Sequence, residues 1–355
     1  MTAFTYEALP MRVTFGVGRA GDVAAELDHL GLERMLVLST PEQTELAQRV
    51  ADGLGDRCVG LFPGAVMHVP IEVANEASDR AAELGADGCI AVGGGSTVGL
   101  GKAVALQHRL PVVAVPTTYA GSEMTPVWGL TENGVKKTGR DPSVLPRSVV
   151  YDPELTTSLP VDMSVTSGIN ALAHAAEALY APDVSPVIAL MAEEGARLVV
   201  EALPRVAADP DSLEARGTAL RGAWLCGAVL GATTMSLHHK ICHVLGGTFN
   251  LPHAAVHTVM LPYALSLTLP GAPDALSAMQ RVLQEQDVPK ALFDFSARLG
   301  APTSLAMIGM PMGGVAEVVR QVMATPYASP RTVTANDIFN IVEQAMAGES
   351  PALPR

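Results

Sequence analysis

The sequence predicts an α/β N-terminal domain, a parallel sheet with flanking helices, followed by an all-α C-terminal domain. Two observations carry this. Short, branched, apolar runs at residues 35–39, 89–92 and 112–115, bounded by Gly or Pro, alternate with helical patterns over the first ~155 residues. After Pro160 no strand pattern appears, and Ala, Leu, Met and Glu recur with i, i+3, i+4 apolar spacing. The expected domains are residues 1–157 and 158–355, in keeping with a chain of 355 residues.

Taken in order, the runs 35–39, 89–92 and 112–115 lack polar alternation, so they read as strands buried on both faces. The stretches 42–54, 72–84 and 97–107 between them read as helices. Over 127–151 the pattern turns to extended segments broken at Asn133-Gly134 and Thr138-Gly139, which predicts a hairpin-like excursion. Asp152-Pro153 and Leu159-Pro160 mark the boundary. Helices are expected over 163–180, 186–203, 212–236 and 314–323. The small-apolar stretch 219–237 contains Arg221 and several Gly and Thr residues, so it reads as a buried helix and not as a membrane span.

Charge and composition narrow the function. With 23 basic and 36 acidic residues the net charge is −13, which repels a phosphate backbone, so no nucleic-acid partner is expected. The first ten residues carry no basic, apolar leader. Cys58, Cys89, Cys226 and Cys242 show no CxxC spacing and read as reduced thiols in a cytoplasmic protein.

Gly93-Gly94-Gly95-Ser96 follows a strand and opens a helix. Glycines let backbone approach a phosphate closely, and the helix N-terminus offers free N–H groups, so this loop reads as a dinucleotide site. Ser96 either caps the helix or bonds the pyrophosphate. The hydroxyls of Thr117, Thr118 and Ser122 follow another strand, at the end where ligands of open α/β sheets bind. Two other motifs are read as decoys. Gly16-Val17-Gly18-Arg19-Ala20-Gly21 matches GxGxxG, but the next strand runs into Ser39-Thr40-Pro41, with no acid to hold a ribose. Gly101-Lys102 resembles the end of a phosphate-binding loop, but Ala103 stands where Ser or Thr is required.

Nine histidines spread evenly over 355 residues would place about half of one in any 20-residue window, yet residues 238–257 hold five: His238, His239, His243, His253 and His257. His174 lies on an earlier predicted helix. Asn170/His174, His239/His243 and His253/His257 are i, i+4 pairs, each able to share one helical face. Packing does not explain this density, so the cluster reads as a functional site. Its spacing first suggests a metal held by His174, His239 and His253, with the fourth position open.

In combination these segments resemble the iron-containing alcohol dehydrogenase superfamily over nearly the whole chain. The glycine loop, Pro116-Thr117-Thr118, the segment from Gly168 to His174, and His239, His243 and His253 fall in family order. The resemblance implies an active site in the cleft between the two domains. Metal-dependent members carry Asp four residues before the first ligand histidine, where this chain has Asn170. A neutral amide there removes the anionic ligand and should weaken divalent cation binding. With His239–Phe249 and Lys136-Lys137-Thr138-Gly139-Arg140-Asp141-Pro142, this departure resembles the maleylacetate reductase branch. Tyr263 stands where similar sequences often carry His.

That branch implies NADH- or NADPH-dependent reduction of the C=C bond of maleylacetate, a small dicarboxylate, to 3-oxoadipate in bacterial aromatic breakdown, with no metal required. The expected site residues are His243, His253, His239, His174, Asn170 and Lys240. An alkene conjugated to a ketone needs no strong Lewis acid. Hydrogen-bond donors can hold the enolate, and an acid protonates the α carbon. His243 and His253 are candidates for these roles, undivided between them. Lys240, Arg140, Lys136 and Arg331 are candidate carboxylate clamps, Lys240 first. Ser39 and Thr40 are expected to meet the cofactor ribose without discriminating NADH from NADPH. A homodimer is expected. The alternatives are a metal-dependent alcohol, glycerol or lactaldehyde dehydrogenase of the same superfamily, a lyase of the dehydroquinate synthase type, or a nucleotide-binding sensor.

Overall fold

The computed structural model describes residues 4, 6–9, 11–132 and 135–351, with residues 135 and 136 described by backbone alone. The chain forms two compact units. One runs from Ala8 to Leu159; the other begins at Pro160, and the described residues up to Glu7 group with it.

The first unit is built on a six-stranded parallel sheet in the order β1-β8-β5-β4-β2-β3. Its strands are β1 (Arg12–Phe15), β2 (Met35–Leu38), β3 (Cys58–Phe62), β4 (Gly88–Gly93), β5 (Val112–Pro116) and β8 (Ser148–Tyr151). The central strands β2, β4, β5 and β8 are buried residue by residue, as unalternating apolar runs require when helices cover both faces. Those helices are α1 (Val23–Leu30), α2 (Thr44–Leu54), α3 (Ile71–Glu83) and α4 (Gly95–His108). The chain leaves β2 toward the edge strand β3 and returns to β4 on the other side of β2. The carboxyl ends of β2 and β4 therefore flank the point where the strand order reverses, where ligands of open α/β sheets bind.

The excursion predicted over 127–151 is only partly a hairpin. β6 (Val127–Glu132) and β7 (Val135–Arg140) form an antiparallel pair, but residues 148–151 are β8, a member of the main sheet between β1 and β5. Asn133-Gly134 lies outside the described residues. Thr138-Gly139 is not a break but part of β7. A side chain at Gly139 would sit 2.5 Å from the Trp128 ring, so glycine here makes room for tryptophan.

The second unit is helical, with no strand among its described residues. Its helices are α5 (Val161–Ala178), α6 (Pro186–Ala208), α7 (Leu213–Ala232), α8 (Leu237–Phe249), α9 (His253–Thr268), α10 (Pro273–Leu283), α11 (Val288–Arg298), α12 (Val315–Ala324) and α13 (Ala335–Ala347). Caps fix several starts: Ser185 and Ser212 accept the N–H groups of Ile188 and Ala215, and Thr334 forms a capping box with Asp337. The helix predicted over 212–236 stops at Ala232. Asp183 takes both the N–H of Thr234 (3.0 Å) and its hydroxyl (2.8 Å) in the non-helical segment 233–236 that separates α7 from α8. Apolar faces of α8, α9, α12 and α13 pack into one core around Leu245, Met260, Val318 and Val342. Among the described residues, no helix is long and apolar enough to cross a membrane.

Candidate active site

In the first unit, Gly93-Gly94-Gly95 sits at the carboxyl end of β4, paired in register with β5 through Gly93 and Pro116. The φ of Gly93 is +153°, and a Cβ there would meet Thr97 Oγ1 at 2.4 Å and Gln43 Oε1 at 2.6 Å. A Cβ on Gly94 would meet Thr118 Cγ2 at 2.8 Å. Gly94, not Ser96, is the N-cap of α4, and no side chain caps it, so the first N–H groups of this helix remain open to an anion. Gln43 donates to Thr117 Oγ1 at 2.6 Å, joining the start of α2 to the loop after β5. The buried hydroxyls of Ser39 and Thr97 have no hydrogen-bond partner. This cradle fits a dinucleotide phosphate.

Both decoys are accounted for. The carboxylate of Asp152 accepts the N–H groups of Gly18 (3.1 Å) and Ala20 (2.9 Å), so the GxGxxG loop spends its donors on its own fold. Lys102 is fully buried. It donates to the carbonyls of Ser122 (2.6 Å) and Val127 (2.8 Å) and to the Thr125 hydroxyl (2.9 Å), and burial pushes it down to about 7. Ser122 thus sits in a turn pinned by Lys102. Glu42 is the acid nearest the end of β2. Its own N–H and the Thr40 hydroxyl hold its carboxyl below the ordinary range.

In the second unit the six histidines come together. Asn170 and His174 share one face of α5; His238, His239 and His243 lie on α8; His253 and His257 open α9. Ring centroids of His174 and His239 are 5.3 Å apart, His239 and His257 4.8 Å, His253 and His257 4.3 Å, and His243 stacks on His253 at 6.2 Å. His257, given no role by the sequence, meets four of the other rings: His174, His238, His239 and His253. Its Nδ1 shares a 3.0 Å hydrogen bond with His238 Nε2. Burial holds His174 and His257 well below the ordinary imidazole range and His238 down to about 3, so all three are neutral near pH 7. Asn170 Oδ1, His174 Nδ1, His239 Nε2 and His257 Nε2 are buried without partners.

The cluster is buried except at one end. His243 is exposed and His253 half-buried. A cavity of about 460 Å³ is lined by His239, Lys240, His243 and Thr234 and, from the segment after α12, by Pro326 and Tyr327. Lys240 donates to the hydroxyl of Thr325, which lines the neighbouring cavity. Of the other cations proposed as clamps, Arg331 lines a neighbouring cavity with Tyr327 and Thr325, Arg140 lies exposed on β7, and the side chain of Lys136 lies outside the described residues. Tyr263 is a core residue on α9, edge-on to Phe293.

The sequence reading missed Glu177. This fully buried carboxylate on α5 accepts from His239 Nδ1 (2.6 Å) and from the backbone N–H groups of His238 (2.7 Å) and Ser236 (3.0 Å). Despite burial, these donors hold it down to about 2. Asn170 therefore does not leave the cluster without a negative charge, as the sequence suggested. The available signal was its position one turn after His174.

Among the described residues, the metal-capable group whose ligand atoms approach within 4.8 Å of one another is His238, His239 and His257, and two of these are already bonded to each other. Beside this set Asn170 offers an amide, and the carboxylate of Glu177 is turned to N–H groups.

Two family profiles match in order: "Iron-containing alcohol dehydrogenase" over residues 10–153 and "Fe-containing alcohol dehydrogenase family, C-terminal" over 164–346. The chain is 54% identical over 352 residues to a maleylacetate reductase of Burkholderia cepacia, covering 99% of this chain and 100% of that one. It is 52% identical to the maleylacetate reductase of Sphingobium indicum, covering 98% and 99%. The crystal structure of maleylacetate reductase from Agrobacterium tumefaciens superposes with a TM-score of 0.95 at 48% identity, covering 99% and 100%. Both the glycine cradle and the histidine cluster fall inside the matched segments, and the chain belongs to the iron-containing alcohol dehydrogenase family.

Proposed function

We propose that this chain reduces the C=C bond of maleylacetate to 3-oxoadipate with NADH or NADPH and without a metal. The observation that carries this reading is the histidine cluster, with Asn170 in place of a carboxylate at its buried end, opening through His243 and Lys240 into the cavity. Relatives that share 47–54% of its residues and bear the name maleylacetate reductase support the substrate.

The cofactor is assigned to Gly93, Gly94, Gly95, Ser96, Thr117, Thr118 and Ser122, with its ribose near Ser39 and Thr40. When bound, it supplies a hydride to the alkene carbon β to the ketone. The charge that then develops on the ketone oxygen needs donors aimed at it. His253, half-buried and stacked under His243, and the amide of Asn170 are assigned to that oxygen, with His174 and His239 shaping the pocket. His243, exposed and on the cavity wall, delivers the proton to the α carbon. Lys240, on the same wall, holds a substrate carboxylate. A homodimer in the cytoplasm, where thiols stay reduced, completes the reading.

The deciding experiment is NADH oxidation with maleylacetate before and after dialysis against a chelator. Activity is expected to persist. Loss on dialysis, with recovery on adding a divalent metal, would favour the metal-dependent alcohol dehydrogenase reading instead.

Cofactor choice is expected to be loose. Glu42 is exposed, so its repulsion of a 2′-phosphate is screened to ~1 kcal/mol. kcat/KM with NADH and NADPH is expected to agree within about tenfold. Thr40→Asp should penalise NADPH far more than NADH, through like charge at the ribose. A wild-type preference beyond about a hundredfold would mean that another residue reads the ribose.

A further inference from the structure

We infer that Glu177 is a positioning residue of the site: it fixes the proton of His239 on Nδ1, turns Nε2 toward the reacting groups and pins the start of the histidine-bearing helix α8. The inference rests on the functional reading above for what the site reacts with, but not for the geometry. Oε2 of Glu177 accepts His239 Nδ1–H at 2.6 Å and Ser236 N–H at 3.0 Å, while Oε1 accepts His238 N–H at 2.7 Å and the Tyr180 hydroxyl at 3.3 Å. An ionised carboxylate only accepts, so the 2.6 Å contact places the hydrogen on Nδ1. The other ring nitrogen is then the atom of His239 without a partner, and the ring lines the cavity.

Ordinary capping does not account for this. Ser236 is the N-cap of α8, but its hydroxyl donates to the carbonyl of Ala328 (2.6 Å) and not to its own helix. The capping role passes to Glu177, which reaches across from α5, 59 residues earlier in the chain. Among the described residues no lysine or arginine pairs with Glu177. Its charge is held by N–H groups, a phenol and the positive end of α8. A buried anion without a cation is destabilising unless fully hydrogen-bonded, and here three of its four donors belong to α8, its N-cap or His239. In metal sites, outer partners that fix an imidazole in this way affect metal affinity or activity by about 10–100-fold.

The test combines ¹⁵N-histidine NMR with kinetics. In the wild type, His239 is expected to carry hydrogen on Nδ1. In Glu177→Gln, the tautomer is expected to redistribute, and kcat to fall at least about tenfold, with KM for NADH within about twofold. In a His239→Ala background, adding Glu177→Gln should cause a smaller further loss than in the wild type, because part of its effect runs through His239 and the rest through the α8 N–H groups. The inference is overturned by a wild-type Nδ1 without hydrogen, by a folded Glu177→Gln enzyme with unchanged kcat, or by an undiminished Glu177→Gln effect in the His239→Ala background. If Glu177→Gln does not fold, the wild-type spectrum decides. Absence of maleylacetate turnover with the expected tautomer present would count against the proposed substrate alone.

Discussion

His243→Ala and His253→Ala are each expected to lower kcat by at least ~10²-fold, about 2.7 kcal/mol of lost transition-state stabilisation. His243 is exposed on the cavity wall and His253 is half-buried beneath it, with ring centroids 6.2 Å apart. Neither ring belongs to the four buried ones, His174, His238, His239 and His257, whose removal would open cavities in the packing. The alanine variants are therefore expected to keep their melting temperature within a few degrees while losing turnover. The measurements are kcat with saturating maleylacetate and NADH, together with thermal unfolding. A folded variant that turns over at the wild-type rate would return that histidine to a packing role. Because the two rings stack, their effects should be non-additive, and the double variant should lose less than the product of the single losses.

Gly94→Val is expected to reduce kcat/KM for either cofactor by ~10²-fold, mainly through KM. A Cβ at this position would come within 2.8 Å of Thr118 Cγ2 and 3.0 Å of its hydroxyl, so the Thr118 side chain must rotate away. The branched side chain would then fill the space where backbone meets phosphate, at the uncapped start of α4. Titration of NADH fluorescence checks the loss directly. If Gly94→Val folds and binds NADH as the wild type does, the phosphate cradle lies elsewhere. Gly18→Ala makes a useful contrast. Its loop is tied to Asp152, and its φ of +77° predicts a loss of stability with little change in cofactor KM.

Much of this protein is legible in local sequence. Unalternating apolar runs mark β2, β4 and β5, because strands covered on both faces have no polar side to show. The half-buried, glycine-interrupted strand β3 leaves no such mark, since its Gly60 answers to Leu84 on another element, 2.5 Å from where a Cβ would stand. The i, i+4 pairs of Asn170/His174, His239/His243 and His253/His257 are readable because a helix repeats every 3.6 residues.

The sequence by itself therefore determined the layered α/β unit, the helical unit, the glycine cradle and the histidine-bearing faces, all of which follow from residues within a few turns of one another. Only the tertiary structure decided how those faces meet: that His257 joins the cluster, that three histidines are too buried to ionise, and that His243 alone of the cluster is exposed. It also decided the two carboxylates that matter most. Asp152 silences the GxGxxG loop from 132 residues away, and Glu177 orients His239 across 62. In the sequence each is an ordinary acid near a helix or turn. The value of a buried charge depends on which donors the folded chain brings within 3 Å of it, and no local pattern encodes partners so far apart.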